Sequence, residues 1–248
     1  MKNAILAIIL TLFLTNCDSQ TQETKTKNQI EINKIENWKT TNYIDSVQIL
    51  LTNEYQLNES RAHGASSFLI LAKGDTVLCT AKHLLGDAMG ISPEIKTEKF
   101  DSALVYWKAF PRNNLLSSDT IYSTKIITKQ TDSVDIILQN CVHGMENNII
   151  VLKPRLSKAA QGEKFEIIGC QYSDSECHQR KYYATMDSYE EGKMFLISET
   201  KFIVPGFSGA PVIDSNGLVI GVLSGGGELE GELYLAIEPF SKIETYLK

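Results

Sequence analysis

The rhythm of apolar and polar positions changes three times along this 248-residue chain. Ala4 to Leu14 form an almost unbroken apolar run behind a single lysine, Lys2, and the run ends at Thr15-Asn16-Cys17. A bilayer span needs about 20 apolar residues, so this run is too short to cross a membrane. It suits the core of a signal peptide, and residues 1–16 are expected to be removed. From Asp18 to Gln29 the chain is polar, mixed in charge and aperiodic. Such a segment buries too little surface to offset its ordering entropy, and a flexible tether is expected over residues 17–40. Tyr43–Leu51 then spaces apolar residues three and four apart, which predicts a helix.

Beyond Gly64 short apolar or alternating runs recur between turn residues: Ser67–Ala72, Thr76–Cys79, Ala103–Ala109, Thr120–Thr128, Val134–Leu138, Asn148–Leu152, Lys164–Gly169, Lys181–Met186, Met194–Ser198, Pro211–Asp214, Leu218–Leu223 and Glu232–Ile237. Short strands punctuated by Gly, Asn, Asp and Ser indicate an all-β barrel or sandwich, not alternating α/β. The hairpin around Asn216-Gly217 is the clearest, because that dipeptide takes positive φ at little cost. Pro239 to Leu247 has a proline near its start and helical spacing after it, so one closing helix is expected. No internal repeat suggests a solenoid or propeller.

The chain carries 24 Lys and Arg against 30 Asp and Glu, a net charge of −6 with no long basic run. Holding a phosphate backbone relies on clustered cations, so nucleic acid is not an expected partner.

Peptide-bond hydrolysis by a hydroxyl needs a nucleophile, a base for its proton and donors for the oxyanion that develops. Pro205-Gly206-Phe207-Ser208-Gly209-Ala210-Pro211 sets a serine between glycines directly before a strand. There a tight turn exposes the hydroxyl and aims the N–H groups of Gly206 and Ser208 at one spot. Taken alone the motif is weak, since glycine-flanked serines are common in plain turns. Two further segments add to it. A strand, a Gly74-Asp75 turn and a second strand lead into Thr80-Ala81-Lys82-His83, and Val134-Asp135-Ile136-Ile137-Leu138 places an acid at the start of an apolar run. Asp132 is a rival acid, but it lies before the strand.

With these three motifs in the order His, Asp, Ser, the region from about Gly64 to Leu247 resembles the trypsin-like serine proteases, particularly their bacterial glutamyl-endopeptidase and HtrA-like branches. The resemblance implies two six-stranded antiparallel Greek-key barrels and a short C-terminal helix within residues 41–248. Barrel one is expected at about 60–141, barrel two at about 148–238 and the helix at 239–248. It implies His83 as general base, Asp135 as its partner, Ser208 as nucleophile, and the amides of Gly206 and Ser208 as the oxyanion hole. Gly221 to Gly226 resembles the family strand that pairs with an extended substrate, so Ser224, Gly225 and Gly226 are expected to line the cleft. A plain glycine-rich loop after a core strand would read the same way.

Several positions depart from the family. Phe207 stands where animal trypsins carry the Asp that pairs with a freed N-terminus, so activation by that salt bridge is not expected. Phe202 occupies the spacing of the pocket-base Asp, which argues against a preference for Lys or Arg. No His follows Ser208, which argues against glutamyl specificity and leaves an uncharged side chain. Leu84 after His83 removes the family's usual cystine there, and the chain has no room for the PDZ domain of HtrA proteins.

Leu14-Thr15-Asn16-Cys17 resembles the bacterial lipobox, with Asn16 departing from its usual small residue. That resemblance implies lipidation at Cys17 and an exported protein anchored to a bacterial membrane. Of the remaining cysteines, Cys170 and Cys177 could close a short loop, but Cys79, Cys141, Cys170 and Cys177 allow three pairings. Cys79 reads as a small buried hydrophobe. Cys141, His143, Cys170, Cys177 and His178 lack the tight spacings of a zinc site, and neither metal nor other cofactor is expected. His63 and His143 read as surface or loop residues. The functional expectation is a serine endopeptidase acting on exported or extracellular polypeptides. The alternatives are a catalytically silent binding module tethered to the membrane and an esterase-like hydrolase on the same fold.

Overall fold

The computed structural model describes residues 47–128, 133–142 and 149–248. The signal-peptide, tether and Cys17 expectations, and residues Asp132 and His143, lie outside these. Thirteen strands account for most of the described chain, and its helices are short turns.

Six strands form the first barrel: β1 (Leu51–Leu57), β2 (Ser60–Ala72), β3 (Asp75–Thr80), β4 (Leu104–Phe110), β5 (Ile121–Ser123) and β6 (Ile137–Asn140). Antiparallel pairing runs β6-β3-β2-β1-β4-β5, and the bridges Tyr122–Val142 and Ile126–Gln139 close the ring. The second barrel comprises β8 (Lys164–Gly169), β9 (Arg180–Glu190), β10 (Lys193–Ser198), β11 (Pro211–Asp214), β12 (Leu218–Leu229) and β13 (Glu232–Pro239). Its order β11-β8-β9-β10-β13-β12 closes through β11–β12 pairing, so all six strands are antiparallel neighbours. Between them β7 (Val151–Pro154) lies parallel to β2 on one side and to β12 on the other. The all-β, two-barrel expectation therefore holds.

Each of the twelve apolar runs contributes to this framework, and the reason β2, β3 and β6 read as continuous apolar runs is visible in the packing. Leu69, Leu78 and Ile137 point into barrel one beside Leu57, Phe100 and Trp107. Their neighbours Phe68, Ile70, Val77, Cys79, Ile136 and Leu138 point the other way, into a second cluster with Ile168, Ile213, Val222 and Phe240 from barrel two and the C-terminus. Strands buried on both faces lose the polar alternation of a half-exposed sheet.

Two expectations are corrected. Residues 47–51 are extended: Gln48 bridges Ile149, and Leu51 opens β1, which has no counterpart among the sequence-derived runs. Leu51, Tyr55 and Leu57 share the inward face, so a period of two wins over the three-and-four spacing once barrel one supplies a core. In the β11–β12 hairpin only Gly217 takes positive φ, at +78°, while the Asp214 carboxylate caps the turn by accepting the amides of Asn216 and Leu218. The expected short C-terminal helix is present, as a 3-10 turn, Phe240–Ile243, running into an α-turn, Glu244–Leu247, with Phe240, Ile243 and Leu247 all buried.

Trp107 is fully buried, stacks on Tyr55 at 3.9 Å and donates its indole N–H to Asn53. Trp107→Ala is expected to cost about 3–5 kcal/mol, read from denaturant unfolding, because it empties a core site and leaves the Asn53 amide oxygen unpaired.

Candidate functional site

β3 ends at Thr80, and the 3-10 turn Lys82–Leu85 that follows carries His83. This turn is anchored from below: Leu84 and Leu85 are buried in barrel one, and the Tyr55 hydroxyl donates to the Leu84 carbonyl at 2.5 Å. Asp135 stands just before β6, ahead of the buried pair Ile136 and Ile137. Its two oxygens receive the backbone N–H of His83 and the His83 Nδ1, each at 2.7 Å. The Ser224 hydroxyl donates to the same oxygen as Nδ1. Burial pushes the Asp135 carboxyl up, but the hydrogen bonds and charge of His83 and the bond from Ser224 outweigh it and hold the group below its usual range. An ionised carboxylate only accepts, so Nδ1 carries a proton toward Asp135 and Nε2 is the ring nitrogen on the far side from it.

Ser208 lies in the turn between Val204 and β11. Within it the amides of Phe207, Gly209 and Ala210 donate to the carbonyls of Val204, Leu223 and Phe207 at 3.0, 2.8 and 2.7 Å. The amides of Gly206 and Ser208 have no partner among the described residues. Barrel one grips this turn through Ser66, whose amide donates to the Ser208 carbonyl at 2.8 Å and whose hydroxyl donates to the Gly206 carbonyl at 2.9 Å. Gly209, at φ +85°, brings the turn against the segment that leads into His83. A Cβ there would fall 2.2 Å from the Ser66 carbonyl oxygen, 2.4 Å from Thr80 Oγ1 and 3.0 Å from the Ala81 nitrogen. The segments bearing His83, Asp135 and Ser208 thus meet at one place.

Phe202 is buried under this turn, 4.6 Å from Phe207 and 4.5 Å from Tyr182 between ring centres. Ser224 is the extra residue of a bulge, since Leu223 pairs with Ile237 and Gly225 with Ala236. The bulge turns its hydroxyl toward Asp135, a role that no spacing in the sequence announces. Past Val222 the edge of β12 away from β13 pairs with no strand among the described residues, so Ser224, Gly225 and Gly226 offer backbone groups on an open edge.

Cys170 and Cys177 are joined in a disulfide, and Cys79 and Cys141 are free thiols. Burial pushes the Cys141 thiol up to about 12 and raises that of Cys79 as well, so neither is a thiolate at neutral pH. Among the described residues no three His, Cys, Asp or Glu side chains gather as a metal-ligand set. His63 lies at the surface of β2 near Phe110.

No protein-family model and no curated protein matches the sequence. Solved structures do match the fold. The protease Anisep from Arthrobacter nicotinovorans superposes with a TM-score of 0.59 at 14% identity, over 83% of this chain and 97% of its own. The thermostable serine protease AL20 from an extremophilic microorganism does so with a TM-score of 0.58 at 10% identity, over 82% and 97%.

Two outcomes follow. Gly209→Ala is expected to lower the melting temperature and displace the Ser208 turn, since the methyl meets backbone and the conformation disfavours any side chain. Because its carboxyl is held low in the folded state, Asp135 contributes stability that is complete above the ordinary carboxylate pKa. That contribution is lost as pH falls through the lowered value. The stability gap between wild type and Asp135→Asn, read as denaturant midpoints, is therefore expected to be full at pH 7 and to close on acidification below pH ~4.

Proposed function

We propose that this chain is a serine endopeptidase in which His83, Asp135 and Ser208 act as a triad. Ser208 Oγ attacks the carbonyl carbon of a peptide bond while His83 Nε2 takes its proton. Asp135 holds the ring in the required tautomer and offsets the charge of the imidazolium. The oxyanion is received by the amides of Gly206 and Ser208. Collapse of the tetrahedral adduct breaks the C–N bond, and His83 returns the proton to the departing amine. Water, deprotonated by His83, then releases the acyl group from Ser208.

The observation that carries this reading is the pair of unclaimed amides, Gly206 and Ser208, in a turn whose other three amides are all satisfied. Gly206 and Ser208 are half-buried, and a binding module has no use for two amides left open beside a His–Asp pair. The open edge of β12 at Ser224–Gly226 is suited to add an extended polypeptide as a further strand. The likeness in fold to two proteases agrees with this reading.

We also propose export and lipid anchoring through Cys17, on the strength of the Leu14–Cys17 motif behind its apolar run. Cys17→Ala is expected to release the protein from membranes into the soluble fraction, and unchanged membrane association would overturn the anchor.

The enzyme reading is tested by labelling the folded protein with a fluorophosphonate probe. Wild type is expected to label and Ser208→Ala not at all, while His83→Ala and Asp135→Asn lower turnover of a peptide substrate by on the order of 10³–10⁴-fold. Equal labelling of wild type and Ser208→Ala would leave the binding module as the better account.

A further inference from the structure

Tyr172 lies beside the site without a part in the chemistry above. It lines a hollow together with Thr52, Ser66, Arg112, Gln179 and Gly206, and it is 47% exposed despite its contacts. On one side it meets a bulge in β2. Thr52 of β1 pairs with Ser66 and Asn53 with Gly64, which leaves Ala65 as the extra residue, at φ +57°. The amide that the bulge frees, that of Ala65, donates to the Tyr172 hydroxyl at 2.9 Å. Gly64 admits this hydroxyl only because it has no side chain, since a Cβ there would lie 1.8 Å from the oxygen.

On its other side the Tyr172 ring packs on Gly206, with two ring carbons 2.9 Å from where a Cβ on that residue would stand. The ring is itself well held. The disulfide closes the loop from Cys170 to Cys177, and Arg112, just beyond β4, donates to the carbonyls of Gln171, Tyr172 and Asp174 at 3.5, 3.2 and 2.9 Å. The same guanidinium lies over the Tyr172 ring, 5.6 Å from its centre.

We propose that Tyr172 is a positioning residue for the oxyanion donor of Gly206, wedged between the β2 bulge and the Ser208 turn to set the direction of the Gly206 N–H. This inference rests on the protease reading. Its physical basis is that the two peptide groups flanking Gly206 need separate restraints. The Ser66 hydroxyl fixes the carbonyl of Gly206, which belongs to the peptide following it. The N–H belongs to the peptide before it, and rotation about φ uncouples the two. Gly206 sits at φ +99° with no Cβ to limit that rotation. The Tyr172 ring, standing where a Cβ of Gly206 would point, supplies the missing limit. The hydroxyl bond to Ala65 ties the ring to the strand that also holds Ser208, so donor and nucleophile share one reference frame.

The test compares Tyr172→Phe, which keeps the ring, Tyr172→Leu, which keeps bulk without a flat face, and Tyr172→Ala. The readouts are the fluorophosphonate labelling rate of Ser208, kcat and KM per titrated active site on a peptide that wild type cleaves, and the unfolding midpoint. Tyr172→Ala is expected to lower the labelling rate and kcat about 10–100-fold with KM nearly unchanged, because a donor moved by ~1 Å loses most of its effect on the transition state. Tyr172→Leu should fall in between, and serves in its place should Tyr172→Ala not fold. Tyr172→Phe should stay within about fivefold of wild type, losing only one neutral hydrogen bond. Wild-type kcat per titrated site in the Ala and Leu variants, or a loss confined to KM, would overturn the proposal. Failure of wild type itself to label would instead overturn the protease reading, and this inference with it.

Discussion

The amide and the hydroxyl of Ser66 donate to two carbonyls of the turn that carries Ser208, and the Thr80 hydroxyl donates back to the Ser66 carbonyl at 2.6 Å. These three bonds join β2, the end of β3 and a turn of the other barrel within one buried patch, where Ser66 is 3% exposed and Thr80 is fully covered. Sheltered from water, such bonds are costly to leave unmade, so the turn cannot drift without stranding polar groups. The placement of the Ser208 turn of barrel two against the His83 segment of barrel one passes through this patch.

Burial on both faces of β2, β3 and β6 makes the patch rigid. Side chains alternate between the barrel-one core and the layer shared with β8, β11, β12 and the C-terminal residues, so neither barrel shifts without disturbing the packing of the other. β7 reinforces the join with parallel pairing to both barrels. The three motif residues sit at the ends of buried strands: His83 just after β3, Asp135 just before β6 and Ser208 just before β11. Rigid strands hold the backbone there, and the turns that leave them expose side chains.

The electrostatics follow from that placement. A carboxylate as covered as Asp135 is unfavourable unless donors converge on it, and here the His83 ring, the His83 amide and the Ser224 hydroxyl all do. The charge is kept, and the ring facing it is fixed in one tautomer. Gly206 and Ser208 present the complementary case, two donors with no acceptor among the described residues. At half-buried positions such a pair is open to an incoming oxygen.

The strand framework was legible in the chain's own pattern, and so were the three motif-bearing segments that the fold brings together. Twelve apolar runs and the His83, Asp135 and Ser208 motifs are local patterns, set by side-chain alternation and glycine placement within a few residues. Where the periodicity was ambiguous, the core decided: Leu51 opens β1 because barrel one offers Leu51, Tyr55 and Leu57 an inward face. The packing of Phe202 with Tyr182 and Phe207 was likewise visible only in the fold. Ser224 on Asp135 and Tyr172 on Gly206 were illegible for a related reason, since each depends on a bulge, in β12 or β2, that shifts register by one residue. Which hydroxyl meets the carboxylate and which ring meets the glycine are contacts between residues distant in the chain. Only the folded barrels, and for Ser224 and Asp135 the closing of one barrel against the other, bring them within reach.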